Sequence, residues 1–312
     1  MVDQTSILPI INSPEHYREL FKNNSIWEPA IQWICQKHQL NHRVLRSESG
    51  SHIVYRAGDF WIKLMAPIYQ KEMVFEVAGL KSVSGRLSVK TPEIIAQDSI
   101  QAWPYVILTD VPGVAIKSGW SQMNQIQQHS VLSGMAKTII ELSRCSPDDV
   151  IKQRFDWNEF ITGQYQNCYI QQTKKKMPEP WLSQVKPFLQ NFSLSEFTTE
   201  NPVFLHCDLS YDHFFIDQGR LSGIIDLADV QCGHPEYELA APCVFVFKGD
   251  RSSLRLFLNE VGYNHLDQKF SEKLLAWCLL HRYFGMSTFF KSEMDSCHPG
   301  DFAELANKVF PL

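Results

Sequence analysis

The chain has 312 residues, of which 44% are hydrophobic and 20% are charged, and its formal net charge is −5. This length favours two lobes or domains over a single core, and the composition is that of an ordinary globular protein, which excludes a disordered chain. The acidic balance, with only a short lysine run at 174–176, gives no basic stripe, so we expect no nucleic-acid partner.

The cysteine pattern and the hydropathy bear on location. The eight cysteines include no Cys-x-x-Cys pair, and the sequence begins without the basic and apolar segments of a secretory signal. No apolar run approaches the ~20 residues that are needed to cross a bilayer. We therefore expect a cytoplasmic protein with reduced cysteines and no membrane partner.

Hydrophobic periodicity changes along the first 110 residues. Ser13 followed by Pro14 predicts a helix start, and alternating apolar residues between 43 and 64 predict antiparallel strands. The segment 110–113 (DVPG) then breaks the regular pattern. The predicted elements are helices from 14 to about 24, at 27–39 and at 68–83, and strands within 43–64 and at 93–96 and 105–108.

The remainder of the chain is mainly helical. Helices are predicted at 127–144, 156–172, 236–247, 252–260 and 268–290. These patterns predict an α+β fold of two lobes. The β-rich N-terminal lobe would span 1–110 with a helical extension at 13–40, and the helical lobe would span 111–312.

The most informative segment is 203–240. It predicts a short apolar strand, a polar turn with Asp208, a second strand, a tight turn at 217–219 and a third strand that ends at Asp226. Two carboxylates and a histidine would then lie at neighbouring strand ends. Phosphoryl transfer needs such an arrangement: a carboxylate that orients the attacking hydroxyl, and ligands for the Mg²⁺ that neutralises developing charge.

Three segments in this region carry a family resemblance. Residues 206–213 (HCDLSYDH), 223–226 (GIID) and 233–240 (GHPEYELA) resemble the HGDLxxxN, GxID and GDPxxDLA motifs of the aminoglycoside phosphotransferase and choline kinase-like family. Three motifs in the right order are far more specific than any one alone. The resemblance implies a bilobal protein kinase-like fold and a transfer of phosphate from ATP or GTP, with Mg²⁺, to a hydroxyl of a small molecule.

The resemblance also implies roles for the residues of these motifs. Asp208 would be the catalytic carboxylate, and Asp226 would bind Mg²⁺ together with His213. Histidine here replaces the usual asparagine, as in the macrolide phosphotransferase branch, and Cys207 and His234 replace a glycine and an aspartate. Imidazole is a borderline nitrogen donor, whereas Mg²⁺ favours hard oxygen ligands.

A lysine on a predicted strand completes the implied site. Lys63 corresponds to the family lysine that contacts nucleotide phosphates and pairs with a glutamate on the next helix. Glu76 best matches the family's helix pattern, and Glu72 lies one turn earlier on the same face.

The remaining nucleotide contacts are inferred from position. Ser49, Gly50 and Ser51 lie in the turn between the first two strands, where backbone amides and hydroxyls would donate to phosphate oxygens. At the hinge, the carbonyl of Thr109 and the amide of Val111 would meet the nucleobase.

Several alternatives stay open. The acceptor is an aminoglycoside-like antibiotic or a metabolite such as choline, homoserine, a sugar or a nucleoside, because a fold does not settle a substrate. The departures at three motif positions also allow a catalytically silent nucleotide-binding module, and the chain would be a monomer or homodimer. A zinc site among His206, Cys207, His213, Cys232 and His234 matches no standard spacing. The carboxylates available to an amine-bearing acceptor are Asp156, Glu159, Glu236 and Glu238.

Overall fold

The computed structural model describes residues 7–40, 43–47 and 50–312. The first elements are α1 (Pro14–Phe21), α2 (Asn24–Lys37), β1 (Val44–Arg46), β2 (Ile53–Ala57), β3 (Phe60–Leu64), α3 (Gln70–Val83), β4 (Ile94–Ile100) and β5 (Trp103–Thr109). The next are β6 (Val114–Ala115), α4 (Ile116–Gly119), α5 (Gln125–Ser143), α6 (Asp149–Lys152), α7 (Trp157–Lys174), α8 (Glu179–Leu182) and α9 (Val185–Leu189). The last are β7 (Val203–Leu205), β8 (Phe214–Asp217), β9 (Arg220–Ile224), β10 (Gln231–Gly233), α10 (Ala240–Phe245), α11 (Arg251–Val261), α12 (Gln268–Leu280), α13 (Met286–Phe289), α14 (Lys291–Met294) and α15 (Phe302–Val309).

The N-terminal sheet has five antiparallel strands in the order β1-β2-β3-β5-β4. Side chains alternate between its two faces. On β5, Tyr105 and Ile107 lie in one hydrophobic cluster, whereas Val106 and Leu108 lie in the other. Both faces of the sheet are therefore covered.

The N-terminal helices cover one of these faces. Trp27, Ile31 and Ile34 of α2 are fully buried in the same cluster as Tyr105 and Ile107. The Trp27 ring lies 5.5 Å from that of Trp103, between ring centroids. The other face packs against α3, which carries Glu76.

The C-terminal part is mainly helical and holds two small sheets, β6-β8-β9 and β10-β7. The prediction of one helix over 268–290 is wrong, because α12 ends at Leu280 and α13 begins at Met286. His281 at the break has extended backbone and stacks between the rings of Tyr237 and Phe284, at 4.6 and 4.4 Å. The helix predicted at 236–247 begins instead as a 3₁₀ turn over Pro235–Leu239. Within the described residues, none of the helices combines the length and apolarity that a bilayer span requires.

Gly79 sets how closely α3 approaches the turn at Leu227–Asp229. A Cβ at this position would lie 2.9 Å from both the Cβ and the carbonyl oxygen of Leu227. Real side chains do not approach so closely, and the backbone oxygen cannot rotate away. Only glycine therefore allows this packing distance.

We predict that Gly79→Ala lowers the free energy of unfolding by about 1–3 kcal/mol, because the added methyl group pushes α3 away from Leu227. The matched control is Gly163→Ala in α7, where a Cβ would meet nothing within 4 Å. That variant should be more stable by about 0.5–1 kcal/mol, since alanine favours a helix. Urea unfolding measures both, and a stabilised Gly79→Ala variant would contradict the packing argument.

Candidate active site

A cleft of about 510 Å³ lies between the five-stranded sheet and the segment that follows β7. All the described residues predicted for the site line this single cleft. They are Gly50, Ser51, Lys63, Glu76, Thr109, Val111, Asp208, His213 and Asp226. Ser49 lies outside the described residues.

Lys63 links three elements at the centre of the cleft. On β3 its neighbours Ile62 and Leu64 face the cluster beneath α2, so the alternation turns Lys63 towards α3. Its ammonium nitrogen Nζ lies 2.7 Å from Oε2 of Glu76 and 3.0 Å from Oδ1 of Asp226. Burial alone would lower the pKa of Lys63, but these two carboxylates raise it above its ordinary value, so the side chain is charged.

The other candidate partner, Glu72, makes a different contact. Its Oε2 lies 2.8 Å from Nε2 of His52, the residue just before β2. Glu72 and Glu76 are one turn apart on α3. The helix therefore contacts the sheet at two places, through Lys63 on β3 and through His52 just before β2.

The β8–β9 hairpin brings His213 and Asp226 together. Gln218 and Gly219 in its turn both have positive φ, of 48° and 73°, as a tight two-residue hairpin turn requires. Phe214 pairs with Ile224, and the amide of Ile225 donates to the carbonyl of His213 at 3.1 Å. His213 just before β8 and Asp226 just after β9 consequently lie at the same end of the hairpin.

Glu238 anchors the loop that carries Asp208. It is buried, and its carboxylate accepts hydrogen bonds from the backbone amides of His206 at 2.5 Å and Cys207 at 3.0 Å. Burial raises the pKa of Glu238 to about 7, although the two amides oppose that rise. Glu238 therefore acts on the loop that precedes it in the chain. The turn that contains Glu238 is capped by His234, whose Nδ1 accepts from the Glu236 amide at 3.2 Å.

His206 fixes the same loop from the other side. Burial and the nearby His213 lower its pKa to about 4, so the ring is neutral at physiological pH. Its Nε2 lies 2.9 Å from the carbonyl oxygen of Ile225, and its Nδ1 accepts from the amide of Asp208 at 3.3 Å. One imidazole thus ties the Asp208 loop to the end of β9.

Cys207 has a left-handed backbone, with φ of 68°. Glycine adopts this conformation without strain, which is the physical reason for glycine at this motif position. The thiol is 1% exposed, and burial raises its pKa well above the ordinary value. It is therefore a protonated core group and does not reach into the cleft.

Asp208 and His213 form a polar pair next to Asp226. His213 Nδ1 lies 2.6 Å from the carbonyl oxygen of Asp208 and 3.4 Å from its Oδ2, and Nε2 lies 3.8 Å from Oδ2 of Asp226. Burial raises the pKa of Asp208 to about 6; His213 opposes this rise, while Asp229 and Asp226 add to it. Burial would lower the pKa of His213, but the carboxylates of Asp226 and Asp208 raise it.

The donor atoms in this corner can be tested against a cation. A carbonyl oxygen only accepts, so Nδ1 of His213 carries a proton, and in the neutral ring Nε2 holds the lone pair. That lone pair and the Asp226 carboxylate fit two positions of a coordination sphere. Within the described residues, no group of three or more His, Cys, Asp or Glu side chains is arranged to hold a metal ion alone. Further ligands would have to come from phosphate and water.

Asp110 follows β5 in the segment predicted as a hinge, and sequence reasoning missed its role. Its carboxylate accepts from Nε1 of Trp61 at 2.8 Å, from Nη2 of Arg56 at 2.5 Å and from the amide of Val111 at 3.0 Å. The Val111 amide, predicted to meet a nucleobase, thus already has an acceptor. The only signal in the sequence was an acidic residue within the hinge segment.

The four carboxylates considered for an amine-bearing acceptor lie elsewhere. Asp156 caps α7 by accepting from the amide of Glu159 at 2.9 Å. Glu236 accepts from Nε1 of Trp277 at 2.9 Å and pairs with Lys273 at 2.8 Å. Glu238 holds the loop, and none of these four side chains lines the cleft.

Comparison with known proteins gives one family and many similar structures. The model of APH, the phosphotransferase enzyme family, matches residues 41–267. Similar solved structures include the GDP complex of aminoglycoside 2'-phosphotransferase-IIIa, at 16% identity and TM-score 0.69 over 89% of this chain and 97% of that chain. The streptomycin–ATP–APH(2")-IIa ternary complex has 14% identity and TM-score 0.61 over 89% and 97%. APH(3'')-Id from Streptomyces rimosus has 14% identity and TM-score 0.60 over 81% and 98%. The expected fold class is confirmed.

We predict that Lys63→Met destabilises the protein by about 3 kcal/mol at pH 8, because it leaves the buried Glu76 carboxylate, and the partly exposed Asp226 carboxylate, without their cation. The loss should be smaller at pH 5. Burial already raises the pKa of Glu76, and without Lys63 the group takes up a proton as the pH falls, which removes the unpaired charge. Urea unfolding at both pH values measures this.

The control for this prediction is Lys37→Met. Lys37 pairs with Asp98 at the surface, where the two side chains are 39% and 45% exposed. Its loss should change stability little and without the same pH trend. Equal losses for the two variants would show that burial of the Lys63 pair is not the cause.

Proposed function

The chain belongs to the phosphotransferase enzyme family, and on this premise we propose that it transfers the γ-phosphate of ATP or GTP to a hydroxyl group of a small molecule. The family that the sequence resembles is confirmed, as is the enzyme class, a small-molecule kinase with an alcohol group as acceptor. One observation carries the proposal. Lys63 on β3 meets Asp208 and Asp226, which lie more than 140 residues further along the chain, in one cleft.

The nucleotide would bind in the part of the cleft between Lys63 and the hinge at Thr109 and Val111. Solved relatives of this fold hold GDP or ATP, which supports a nucleotide in the same place. The charged Lys63, held between Glu76 and Asp226, supplies the positive charge that phosphate oxygens need. Gly50 and Ser51 line the same cleft and offer backbone amides.

Asp208 would orient the acceptor hydroxyl. Its carboxylate lies in the cleft, with its loop fixed by Glu238 and His206. With a pKa of about 6, it is mainly ionised at neutral pH and accepts a hydrogen bond from the hydroxyl. The same pKa is high enough to take up the proton as the oxygen–phosphorus bond forms.

Asp226 and Nε2 of His213 would hold Mg²⁺. Burial would raise the pKa of Asp226, but the ammonium group of Lys63 lowers it below its ordinary value, so Asp226 is an anionic ligand. When bound, Mg²⁺ supplies the neutralisation of charge on the terminal phosphates. The hydrogen bond that Nδ1 of His213 donates to the Asp208 carbonyl orients the ring so that Nε2 lies towards the Asp226 carboxylate.

The acceptor would be an aminoglycoside-like antibiotic or a related amino or sugar alcohol. Structural relatives bind streptomycin or kanamycin, at 14% and 16% identity to this chain. We further propose that 1–110 forms the nucleotide lobe and 111–312 the acceptor lobe.

A test is to screen kanamycin, streptomycin, hygromycin B, an erythromycin, choline and homoserine by coupled release of ADP or GDP. Tight nucleotide binding without turnover on any acceptor or water would favour the silent module instead.

We predict that Asp208→Asn keeps nucleotide affinity and lowers turnover by about 10²–10⁴-fold, because an amide cannot take up the hydroxyl proton. The matched control is Asp212→Asn, which changes an aspartate of the same cleft that pairs with Lys117. Its turnover should stay near that of the wild type. In the wild type, the acid limb of the pH profile should fall below pH about 6, where Asp208 is protonated. Undiminished turnover in Asp208→Asn would refute the mechanism.

We predict that His213→Asn changes the metal preference. An amide oxygen suits Mg²⁺ better than an imidazole nitrogen does, whereas Co²⁺ favours the nitrogen. The Mg²⁺ concentration for half-maximal nucleotide binding should fall and that of Co²⁺ should rise, each by about tenfold. His234→Asn, which alters a capping histidine outside the cleft, is the control and should leave both concentrations unchanged. An unchanged preference in His213→Asn would exclude His213 as a ligand.

A further inference from the structure

Helix α1 lies before residues 41–267, the segment that the family model matches. It nevertheless contacts residues on both sides of the connection between β1 and β2. The hydroxyl of Tyr17 donates to the carbonyl oxygen of Ser51 at 3.2 Å. One turn further along α1, the carbonyl of Phe21 accepts from Nη2 of Arg46 at 3.3 Å, and the guanidinium lies 4.8 Å from the Phe21 ring centroid. Arg46 is the last residue of β1, and Ser51 lies two residues before β2. One helix therefore contacts both ends of the connection.

The Tyr17 side chain is itself fixed by packing. It is 3% exposed, and its ring centroid lies 6.5 Å from Trp27 and 5.3 Å from Tyr69. The Tyr69 ring also lies 5.6 Å from the ring of His52, which pairs with Glu72 on α3. The hydroxyl therefore reaches Ser51 from a rigid support and without loss of side-chain freedom.

From these contacts we propose that Tyr17 is a positioning residue for nucleotide binding. In a trans peptide the carbonyl of Ser51 and the amide N–H of His52 point in opposite directions. A hydroxyl that holds this carbonyl therefore turns the N–H away from α1. Gly50, Ser51 and His52 line the cleft, so the Tyr17–Ser51 hydrogen bond, here called the brace, fixes backbone that would face the nucleotide before the nucleotide binds. Backbone that is already ordered loses less conformational entropy on binding. The inference rests on the proposed nucleotide site.

The test is Tyr17→Phe, which removes one hydroxyl and keeps the buried ring. Calorimetric titration with Mg·ATP and Mg·GTP should give a Kd that is raised about two- to tenfold, the range of one hydrogen bond. The kcat for nucleotide hydrolysis, in which water is the phosphate acceptor, should change by less than about twofold, because the variant leaves Asp208 and Asp226 in place.

Tyr105→Phe is the matched control. The Tyr105 hydroxyl lies 2.8 Å from Nε2 of His38 and joins α2 to the same sheet, and the residue is fully buried. This variant should lower the thermal midpoint as Tyr17→Phe does but leave the nucleotide Kd unchanged. A Kd for Tyr17→Phe equal to the wild type, or an equal rise for Tyr105→Phe, would overturn the inference.

Hydrogen exchange provides a readout that needs no nucleotide. Peptides that cover 43–56 should exchange faster in Tyr17→Phe than in the wild type or in Tyr105→Phe, and equal exchange would overturn the brace. Failure of the proposed function looks different. In that case the wild type itself would bind neither nucleotide, whatever the exchange data show for the brace.

Discussion

The buried ammonium group of Lys63 is the constraint on which the rest of the site depends. A charge removed from water is tolerated only when it is paired, and here the partners come from α3 and from the end of β9. The pairing fixes the sheet, the helix and the β8–β9 hairpin relative to one another. Gly79, three residues after Glu76, packs closely against Leu227, the residue after Asp226. This apolar contact joins α3 to the segment after β9 at the same place as the ion pairs. Polar and apolar contacts therefore specify one arrangement.

The loop that carries Asp208 follows a related rule, because buried backbone amides need acceptors. The Glu238 carboxylate accepts hydrogen bonds from the amides of His206 and Cys207, and the His206 ring accepts one from the amide of Asp208. Three successive amides are thereby oriented by side chains, in a segment that belongs to neither a helix nor a strand. The loop is rigid for this reason, and the position of the Asp208 carboxylate follows from it. Pre-organisation of this kind contributes to catalysis in general.

The sequence predicts those parts of the site that depend on local patterns. Alternation on β3 assigns a face to Lys63, and the turn at 217–219 predicts the hairpin that joins His213 to Asp226. Contacts across long separations leave no periodic trace. The bond from Glu238 to His206 spans 32 residues, and that from Asp110 to Arg56 spans 54. The break at His281 is a tertiary effect too, because ring stacking on Tyr237 and Phe284 outweighs the helical propensity of 268–290.

The three departures from the motif pattern bear on whether the site is functional. His234 caps the turn that follows, because its ring nitrogen accepts from the Glu236 amide, as the carboxylate of an aspartate can. Cys207 keeps the left-handed backbone of a glycine and directs its thiol into the core. His213 keeps a donor atom beside Asp226, since Nδ1 is used by the Asp208 carbonyl. Each of the three residues therefore fits its local geometry: a cap at His234, a left-handed backbone at Cys207 and a donor atom at His213. Because Lys63, Asp208 and Asp226 also meet in one cleft, the departures give no physical reason for a silent site.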